Sequence, residues 1–285
     1  MIRFALFFMI PAALSALDWP SQNAVATGNF GTNNRGRPQL GDTFSATGPV
    51  MAVGEGELIF ATTESSAAVS RLPSTLGAWL ALDHGDGLVS IYARIEDSVI
   101  DTVPKKIEQG TVIANCGSTG WSNRDGYYLS FFDRKERRWV NPSLIITAKE
   151  DTRAPSIQSV KLKNEAGALF DMAMTRVLKQ GYYGIIVQSS DTRQSSMESP
   201  LAPFKIICSV NGMETGAFST ETFSARDGVL MAYRGGLTHA RQIFEPYPAV
   251  EAGYVVFTRG QVNLSIIVQD ITGNTVNAQY RLFVE

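Results

Sequence analysis

Short apolar runs separated by turn residues fill the first half of the chain, and none of them carries a helical stripe of a dozen residues. The turns are rich in Gly, Asn and Asp, which accept the backbone conformations of tight turns. This pattern predicts β-strands. The predicted strands cover residues 49–61, broken between Gly54 and Gly56, a hairpin at 77–95 that turns at His84-Gly85-Asp86-Gly87, residues 106–120, and residues 127–133.

The second half shows the same kind of pattern at wider spacing. Its predicted strands lie near 181–189, 204–210, 253–258, 262–269 and 275–284, and the stretch 169–180 is predicted to form a short helix. Several short strands in about 130 residues are typical of an antiparallel β-sandwich of immunoglobulin type. The charged and proline-containing stretch 148–160 is predicted to be the boundary between the two domains. The prediction is therefore an all-β chain with domains at 17–150 and 151–285.

The N-terminus has a different pattern from either half. Arg3 is followed by an apolar run from Phe4 to Leu14 and by the small-residue exit Ala13-Leu14-Ser15-Ala16. This order is typical of a secretory signal peptide, predicted at residues 1–16; a buried N-terminal helix is the alternative. Export would place the mature chain in the periplasm or cell envelope. No later apolar run approaches the roughly 20 residues of a membrane-spanning helix.

Composition narrows the class of partner. Lys and Arg together number 25 against 27 Asp and Glu, so no overall field points to nucleic acid or to an anionic membrane. The two cysteines, Cys116 and Cys208, fall in different predicted domains and inside apolar runs. Buried free thiols are favoured over a disulfide, which an exported protein could also form. The oligomeric state is open.

Several motifs between Gly31 and Ile146 follow one another in a characteristic order. They are "RGRPQLGDTFSATGPVMAVGEGEL", "HGDGLVSIYARI", "GTVIANCGSTG" and "GYYLSFFD" followed by "VNPSLI". In this order they resemble the lysostaphin-type (LytM-like) zinc metallopeptidases, which cut peptidoglycan cross-links. The resemblance implies that the first domain is a lysostaphin-type β-sheet of barrel-sandwich form. The immunoglobulin-like sandwich that follows it is predicted from the strand pattern alone.

The resemblance also implies which positions should carry the family's site, and the expected residues are missing from them. The first zinc-binding histidine of the family falls on Gln39, and the zinc-binding aspartate falls on Thr43. The histidine after Tyr-Ala falls on Arg94. In the last motif the catalytic histidine falls on Tyr128 and the second zinc-binding histidine on Ser130. Zinc is bound by imidazole, thiolate or carboxylate, so the sequence predicts neither zinc nor another cofactor here.

A groove without metal could still bind a ligand. The aromatic residues Trp121, Tyr127, Tyr128 and Trp139 are predicted to cluster near the position of the family's substrate groove. Together with Arg94 they could hold a cell-wall fragment, since aromatic faces stack on sugars and guanidinium binds carboxylates. The alternatives are that these side chains fill a dead cavity, and that Arg94 is paired with Asp42 or Asp133.

Two other sets of residues carry groups that could take part in catalysis or bind a metal. His84 is predicted to be a turn residue rather than a general base, because its neighbours are turn-forming. Asp191, Asp227 and Asp270 could contribute to a calcium site, but their spacing favours turn-forming roles.

The sequence thus predicts an exported, non-catalytic peptidase-like protein that binds peptidoglycan or regulates a wall hydrolase. Two alternatives stay open. One is an active endopeptidase with non-standard ligands such as Asp42 and Asp133. The other is a structural envelope protein that does not bind the wall.

Overall fold

The computed structural model describes residues 17–64, 74–97, 103–147, 150–192 and 200–285. The predicted signal peptide lies outside these residues. Within them the chain is nearly all β, which confirms the predicted class, and its two helices are of four and five residues.

In the first half, the described residues form ten strands and one helix. They are β1 (Val25–Gly28), β2 (Asp42–Ser45), β3 (Pro49–Met51), β4 (Gly56–Thr62), β5 (Ala78–Asp83), β6 (Leu88–Ile95), β7 (Lys106–Ile107), β8 (Val112–Asn115), β9 (Gly126–Asp133), β10 (Arg138–Val140) and α1 (Pro142–Ile145). The predicted break before Gly56 and the predicted hairpin β5–β6 are confirmed. The hairpin turns through Gly85, Asp86 and Gly87, which all have positive φ angles.

In the second half, eleven strands and one helix lie within the ranges that the structure describes. They are β11 (Ser156–Asn164), β12 (Leu169–Asp171), β13 (Val177–Leu178), β14 (Gly181–Ser190), β15 (Lys205–Val210), β16 (Met213–Arg226), β17 (Val229–Arg234), β18 (Leu237–His239), α2 (Ala240–Phe244), β19 (Val250–Phe257), β20 (Gly260–Gln269) and β21 (Thr275–Val284). The predicted helix at 169–180 is wrong. This stretch forms two short strands, because Met172 and Leu178 are both buried, each beside a different sheet.

One large sheet runs through both halves of the chain. Its main path is β13-β21-β20-β15-β16-β10-β9-β6-β5-β4-β7, and β1, β2, β17 and β18 join at its side. The junction between the halves is the pairing of β10 with β16, in which Trp139 lies opposite Phe223. A second sheet has the order β12-β11-β14-β19, and β3 pairs with β8. The two halves are therefore joined by strand pairing as well as by a linker.

Two hydrophobic cores lie under these sheets. The first core takes residues from the N-terminal half, among them Leu80, Tyr92 and Leu129. The second core takes Val160 and Ile185 from the four-stranded sheet, and Leu264 from the large sheet. Two sheets facing one core make a sandwich, but β13 pairs with β21 in parallel. The immunoglobulin type of this sandwich stays a prediction.

The Gly- and Asn-rich segment between β1 and β2 lies against the second core. Phe30 is fully buried there and stacks on Phe223 with ring centroids 4.8 Å apart. The side chain of Asn29 binds both polar groups of the Ala202 backbone, at 2.7 and 2.9 Å. Asn33 donates to two carbonyl oxygens of the second half. The sequence of this segment indicates only turns. In the structure, its packing contacts and hydrogen bonds connect the first half of the chain to the second.

Both cysteines are free thiols, as predicted. Cys208 is buried in the second core, while Cys116 is partly exposed beside the first.

Candidate functional site

Strands β2, β6 and β9 bring together the positions that the sequence singled out. Thr43 in β2 lies directly opposite Tyr128 in β9, and Ala93 in β6 lies opposite the same Tyr128 on the other side. Ser130 is two residues further along β9, so it points to the same face as Tyr128. The five residues Gln39, Thr43, Arg94, Tyr128 and Ser130 are therefore neighbours, and we call them the Tyr128 cluster.

Hydrogen bonds within the chain hold three members of the cluster. The Gln39 side-chain amide donates to the Thr43 hydroxyl at 3.1 Å and to the Gly41 carbonyl at 2.7 Å. The Ser130 hydroxyl donates to the Leu40 carbonyl at 2.5 Å, and Ser130 is only 1% exposed. The polar groups at these positions thus bond to the chain itself.

Tyr128 fills the centre of the cluster. Its side chain is 8% exposed and packs so closely on Gly41 that a Cβ at Gly41 would lie 2.7 Å from the phenol oxygen. Burial raises the pKa of Tyr128 to about 12, although Ser130 and Arg94 act in the opposite direction. The phenol is therefore neutral over the physiological pH range.

Arg94 stands at a bulge in β6. Its φ angle is +61°, a conformation that non-glycine residues seldom adopt, and the pairing of β5 with β6 shifts register beside it. Its guanidinium carbon lies 5.6 Å from the centre of the Tyr128 ring, and its buried Nε atom has no hydrogen-bond partner among the described residues. Burial lowers the pKa of Arg94, which Tyr128 partly offsets. The bulge thus aims a cation over the cluster.

The cluster does not fit a zinc ion. Its side chains are an amide, two hydroxyls, a protonated phenol and a guanidinium, whereas zinc sites use imidazole, thiolate or carboxylate. The Ser130 hydroxyl and the Gln39 amide nitrogen are already used within the chain. The guanidinium of Arg94 adds positive charge where a cation would have to lie.

The four aromatic residues predicted to form a groove do not cluster. Tyr127 points to the face of β9 opposite Tyr128, where it is buried and stacked on Phe44. Trp139 packs edge-on against Phe132 and against the second core. Only Trp121 is open to solvent, with 76% of its surface exposed. The alternation of side chains along β9 and the pairing of β10 with β16 separate these rings.

The acidic residues named beside Arg94 have other bonds. Asp42 is buried, and its carboxylate accepts from the Phe30 amide at 2.8 Å. Asp133 accepts from the amides of Lys135 and Glu136 in the turn after β9. Asp42 lies opposite Leu129, four residues from Asp133, a separation of roughly 13 Å along a strand. One zinc ion could not bind both carboxylates.

His84 is a structural residue of the β5–β6 turn. Its Nδ1 atom lies 2.7 Å from the Glu55 carbonyl oxygen, and its Nε2 atom lies 2.7 Å from the Ser90 hydroxyl. A carbonyl can only accept, so Nδ1 carries the proton and Nε2 accepts from Ser90. Burial lowers the pKa of His84, against opposing effects of Glu55 and Asp83.

A group of carboxylates lies apart from the Tyr128 cluster. Ligand atoms of Asp151, Asp191 and Asp270 lie within 4.8 Å of one another, whereas Asp227 stands in the exposed β16–β17 turn. Asp270 accepts hydrogen bonds from the amides of Thr272 and Asn274, which is the predicted turn-forming role.

The sequence reading missed two residues of the site. Gly41 permits the close approach of Tyr128, and the Leu40 carbonyl accepts the hydrogen bond from the Ser130 hydroxyl. The glycine in "QLGDT" was the available signal for the first. The sequence carries no signal for the role of the Leu40 carbonyl, because every residue has a backbone carbonyl.

Two protein-family models match different parts of the chain. The model described as Peptidase family M23 matches residues 41–142. Residues 41–142 form a peptidase M23 domain. The lysostaphin-type resemblance is thereby confirmed. A further family model, without a description, matches residues 154–285. The search of curated proteins finds no match to the chain.

Solved structures of M23 proteins resemble the chain at low sequence identity. The catalytic domain of the prophage-encoded M23 protein EnpA from Enterococcus faecalis is 20% identical, with 41% of this chain and 86% of that chain covered and a TM-score of 0.34. A zinc containing peptidase from Vibrio cholerae is 20% identical, with 47% and 40% covered and a TM-score of 0.37. The antimicrobial peptidase lysostaphin from Staphylococcus simulans is 17% identical, with 76% and 87% covered and a TM-score of 0.35.

The M23 domain indicates a function related to peptidoglycan. Proteins of this family are typically found in the cell envelope. Among the described residues, no helix has the length and apolar character needed to cross a bilayer.

Proposed function

We propose that this chain is an exported, non-catalytic member of the M23 family that binds peptidoglycan or regulates a wall hydrolase. Residues 1–16 would be its signal peptide, and residues 17–150 and 151–285 its two domains. One observation carries the proposal: the side chains of the Tyr128 cluster, where the family resemblance implies a metal site, bond to each other and to the chain. A buried tyrosine also stands where the resemblance implies the catalytic histidine.

Arg94 is the residue of the cluster best suited to bind a ligand. It offers an unpartnered Nε atom beside the Tyr128 ring, and its positive φ angle is a strained conformation of the sort found at functional sites. The exposed Trp121 lies on a nearby loop, since the amides of Trp121 and Arg94 donate to the neighbouring carbonyls of Thr75 and Leu76. A guanidinium next to an indole suits a wall peptide, whose carboxylates would pair with Arg94.

The first experiment separates this proposal from an active endopeptidase. Purified protein would be incubated with peptidoglycan, and both bound zinc and released fragments would be measured. We expect neither stoichiometric zinc nor release. Stoichiometric zinc together with fragment release would overturn the non-catalytic proposal.

The second experiment tests the binding residues. Pelleting with insoluble peptidoglycan would be compared for the native chain, Arg94→Gln, Trp121→Ala and the control Arg259→Gln, which changes an exposed arginine elsewhere. We expect Arg94→Gln and Trp121→Ala to pellet less than the control. For Arg94→Gln, the loss of a paired charge should lower the affinity for peptidoglycan by roughly tenfold. Equal pelleting of all four proteins would remove Arg94 and Trp121 from the site.

The regulatory form of the proposal needs its own measurement. A wall hydrolase would digest peptidoglycan with and without the native chain present. The rate of fragment release would be compared between the two reactions. A changed rate without pelleting favours regulation, whereas an unchanged rate and no pelleting favour a structural envelope protein.

A further inference from the structure

A cleft of about 520 Å³ lies where the Gly- and Asn-rich segment of the first half meets the second half. One wall comes from this segment and from Gln39, and the other comes from the ends of β11 and β14 together with residues 200–203. Its volume falls within the range of about 300–1,000 Å³ that is usual for small-molecule sites. Apart from Gln39, the cleft uses no residue of the Tyr128 cluster.

Within the described parts of the chain, no charged residue lines the cleft, although 18% of all residues are charged. A ligand with a carboxylate, phosphate or ammonium group would lose water there without gaining a counter-charge, which is costly. The described lining therefore favours an uncharged ligand over a nucleotide or a charged peptide.

Side-chain amides and hydroxyls supply the polar surface of the cleft. Gln158 donates through its amide nitrogen to Ser156 and Ser190, which leaves its oxygen as an acceptor. Gln188 accepts from Ser159 through its oxygen, which leaves its amide nitrogen as a donor. A ligand with many hydroxyl groups matches such a wall, because each hydroxyl can both donate and accept.

The remaining surface of the cleft is apolar or aromatic. Val187, Leu201 and Phe218 are buried residues that contribute to the lining. Tyr247 also lines the cleft and is 56% exposed, so a ring face is available for stacking. Apolar patches and aromatic faces pack against the less polar faces of sugar rings.

We propose that this cleft binds an uncharged oligosaccharide, with Gln158 and Gln188 as hydrogen-bonding residues and Tyr247 as the stacking residue. The binding site joins the two halves of the chain, so the ligand would contact both. The proposal does not rest on peptidoglycan binding by the Tyr128 cluster, and a failure of either leaves the other intact.

The test uses the full mature chain and isothermal titration with three probes. Chitotetraose and cellotetraose are both uncharged, and only the first carries acetamido groups. A short peptide with free carboxylates is the charged probe. We expect saturable binding of at least one tetrasaccharide and none of the peptide. Failure of both sugars to bind, or binding of the peptide alone, would overturn the proposal.

Variants then locate the binding. Gln188→Ala and Tyr247→Ala should each weaken sugar binding by roughly tenfold, which corresponds to the loss of one good contact. Their matched controls, Gln261→Ala and Tyr233→Ala, change exposed residues outside the cleft and should bind as the native chain does. Equal affinity of all four variants would place the sugar elsewhere and contradict the proposal.

A variant could lose sugar binding because it misfolds, so a measurement on the native chain is also needed. Side-chain amide resonances in a ¹⁵N spectrum should shift on titration with the bound sugar for Asn34, Gln158 and Gln188, which line the cleft. If none of these amides responds while sugar binds, the assignment to this cleft is wrong.

Discussion

Phe30 stacks on Phe223 with ring centroids 4.8 Å apart, although these residues belong to opposite halves of the chain. Phe30 stands in the segment "GNFGTNNRGRP", yet it is fully buried in the second core. Asn29 and Asn33 fix the same segment through hydrogen bonds to the second half. The position of the Tyr128 cluster, which begins at Gln39, is therefore tied to the C-terminal half.

We expect Phe30→Ala to lower the free energy of unfolding by about 3–5 kcal/mol, the usual cost of emptying a buried phenylalanine site. Urea denaturation would measure it. The control Phe283→Ala removes a ring that is 45% exposed and should cost about 0.5 kcal/mol or less. Equal losses in the two variants would show that Phe30 does not contribute to the core.

The native chain should also unfold in a single transition. All four tryptophans lie in the first half, so their fluorescence reports on that half, whereas far-UV circular dichroism reports on both. Strand pairing between β10 and β16 and the burial of Phe30 couple the halves, so we expect the two curves to coincide. Separated midpoints would mean that the halves unfold independently.

Gly41→Ala should destabilise the chain, because a Cβ there would lie 2.3 Å from the Leu129 carbonyl oxygen and 2.7 Å from the Tyr128 ring. Overpacking of this kind costs about 1–3 kcal/mol. Gly236→Ala is the control, since a Cβ at Gly236 meets no atom within 4 Å. Thermal unfolding of both variants checks the prediction, and an unchanged midpoint for Gly41→Ala would show that Tyr128 is not closely packed on this glycine.

Much of the sheet could be predicted because local signals agree with the fold. The β5–β6 hairpin carries apolar strands around a turn of residues that accept positive φ angles. The Asn-Pro exit after β10 was also visible, and Asn141 caps α1 while it donates to the Thr220 carbonyl. Local periodicity and turn chemistry suffice for such elements.

Long-range packing was not visible in the sequence. The burial of Phe30 depends on contacts with residues nearly 200 positions away, and nothing in its glycine-rich surroundings signals a core residue. The position of Trp139 away from the Tyr128 cluster depends on the pairing of β10 with β16, which has no local signature in the sequence. The family resemblance predicts the positions of the Tyr128 cluster. The short distance between Arg94 and Tyr128 depends on a bulge in β6 that no sequence pattern indicates.

A buried charge network in the second half should be sensitive to loss of one partner. Glu251 binds Arg234 at 2.8 Å and Lys163 at 2.6 Å, and the side chains of Glu251 and Arg234 are each 4% exposed. Glu251→Ala would leave Arg234 buried without its carboxylate, at a cost of about 3–5 kcal/mol. Glu57→Ala breaks the exposed pair with Lys105 and should cost about 1 kcal/mol or less. Chemical denaturation compares them, and similar losses would argue against a buried network.

His84 predicts how stability depends on pH. Burial holds the pKa of His84 below its ordinary value of 6.5 in the folded chain. The unfolded chain therefore binds the proton more readily, and stability is lost as the pH falls below about 6.5. Protonation would also turn Nε2 from an acceptor into a donor and disturb its bond with Ser90. The carboxylates whose pKa is lowered, Asp133 and Glu251, lose their contribution only at more acidic pH.

The measurement is the free energy of unfolding of the native chain, His84→Gln and His239→Gln between about pH 7.5 and about pH 5.5. The native chain and His239→Gln should lose stability across this range, because His239 is exposed and its side chain makes no capping hydrogen bond at α2 within the described residues. His84→Gln should be less stable at the upper pH but nearly independent of pH. The hypothesis fails if His84→Gln loses as much stability across the range as the native chain, because another group must then bind the proton.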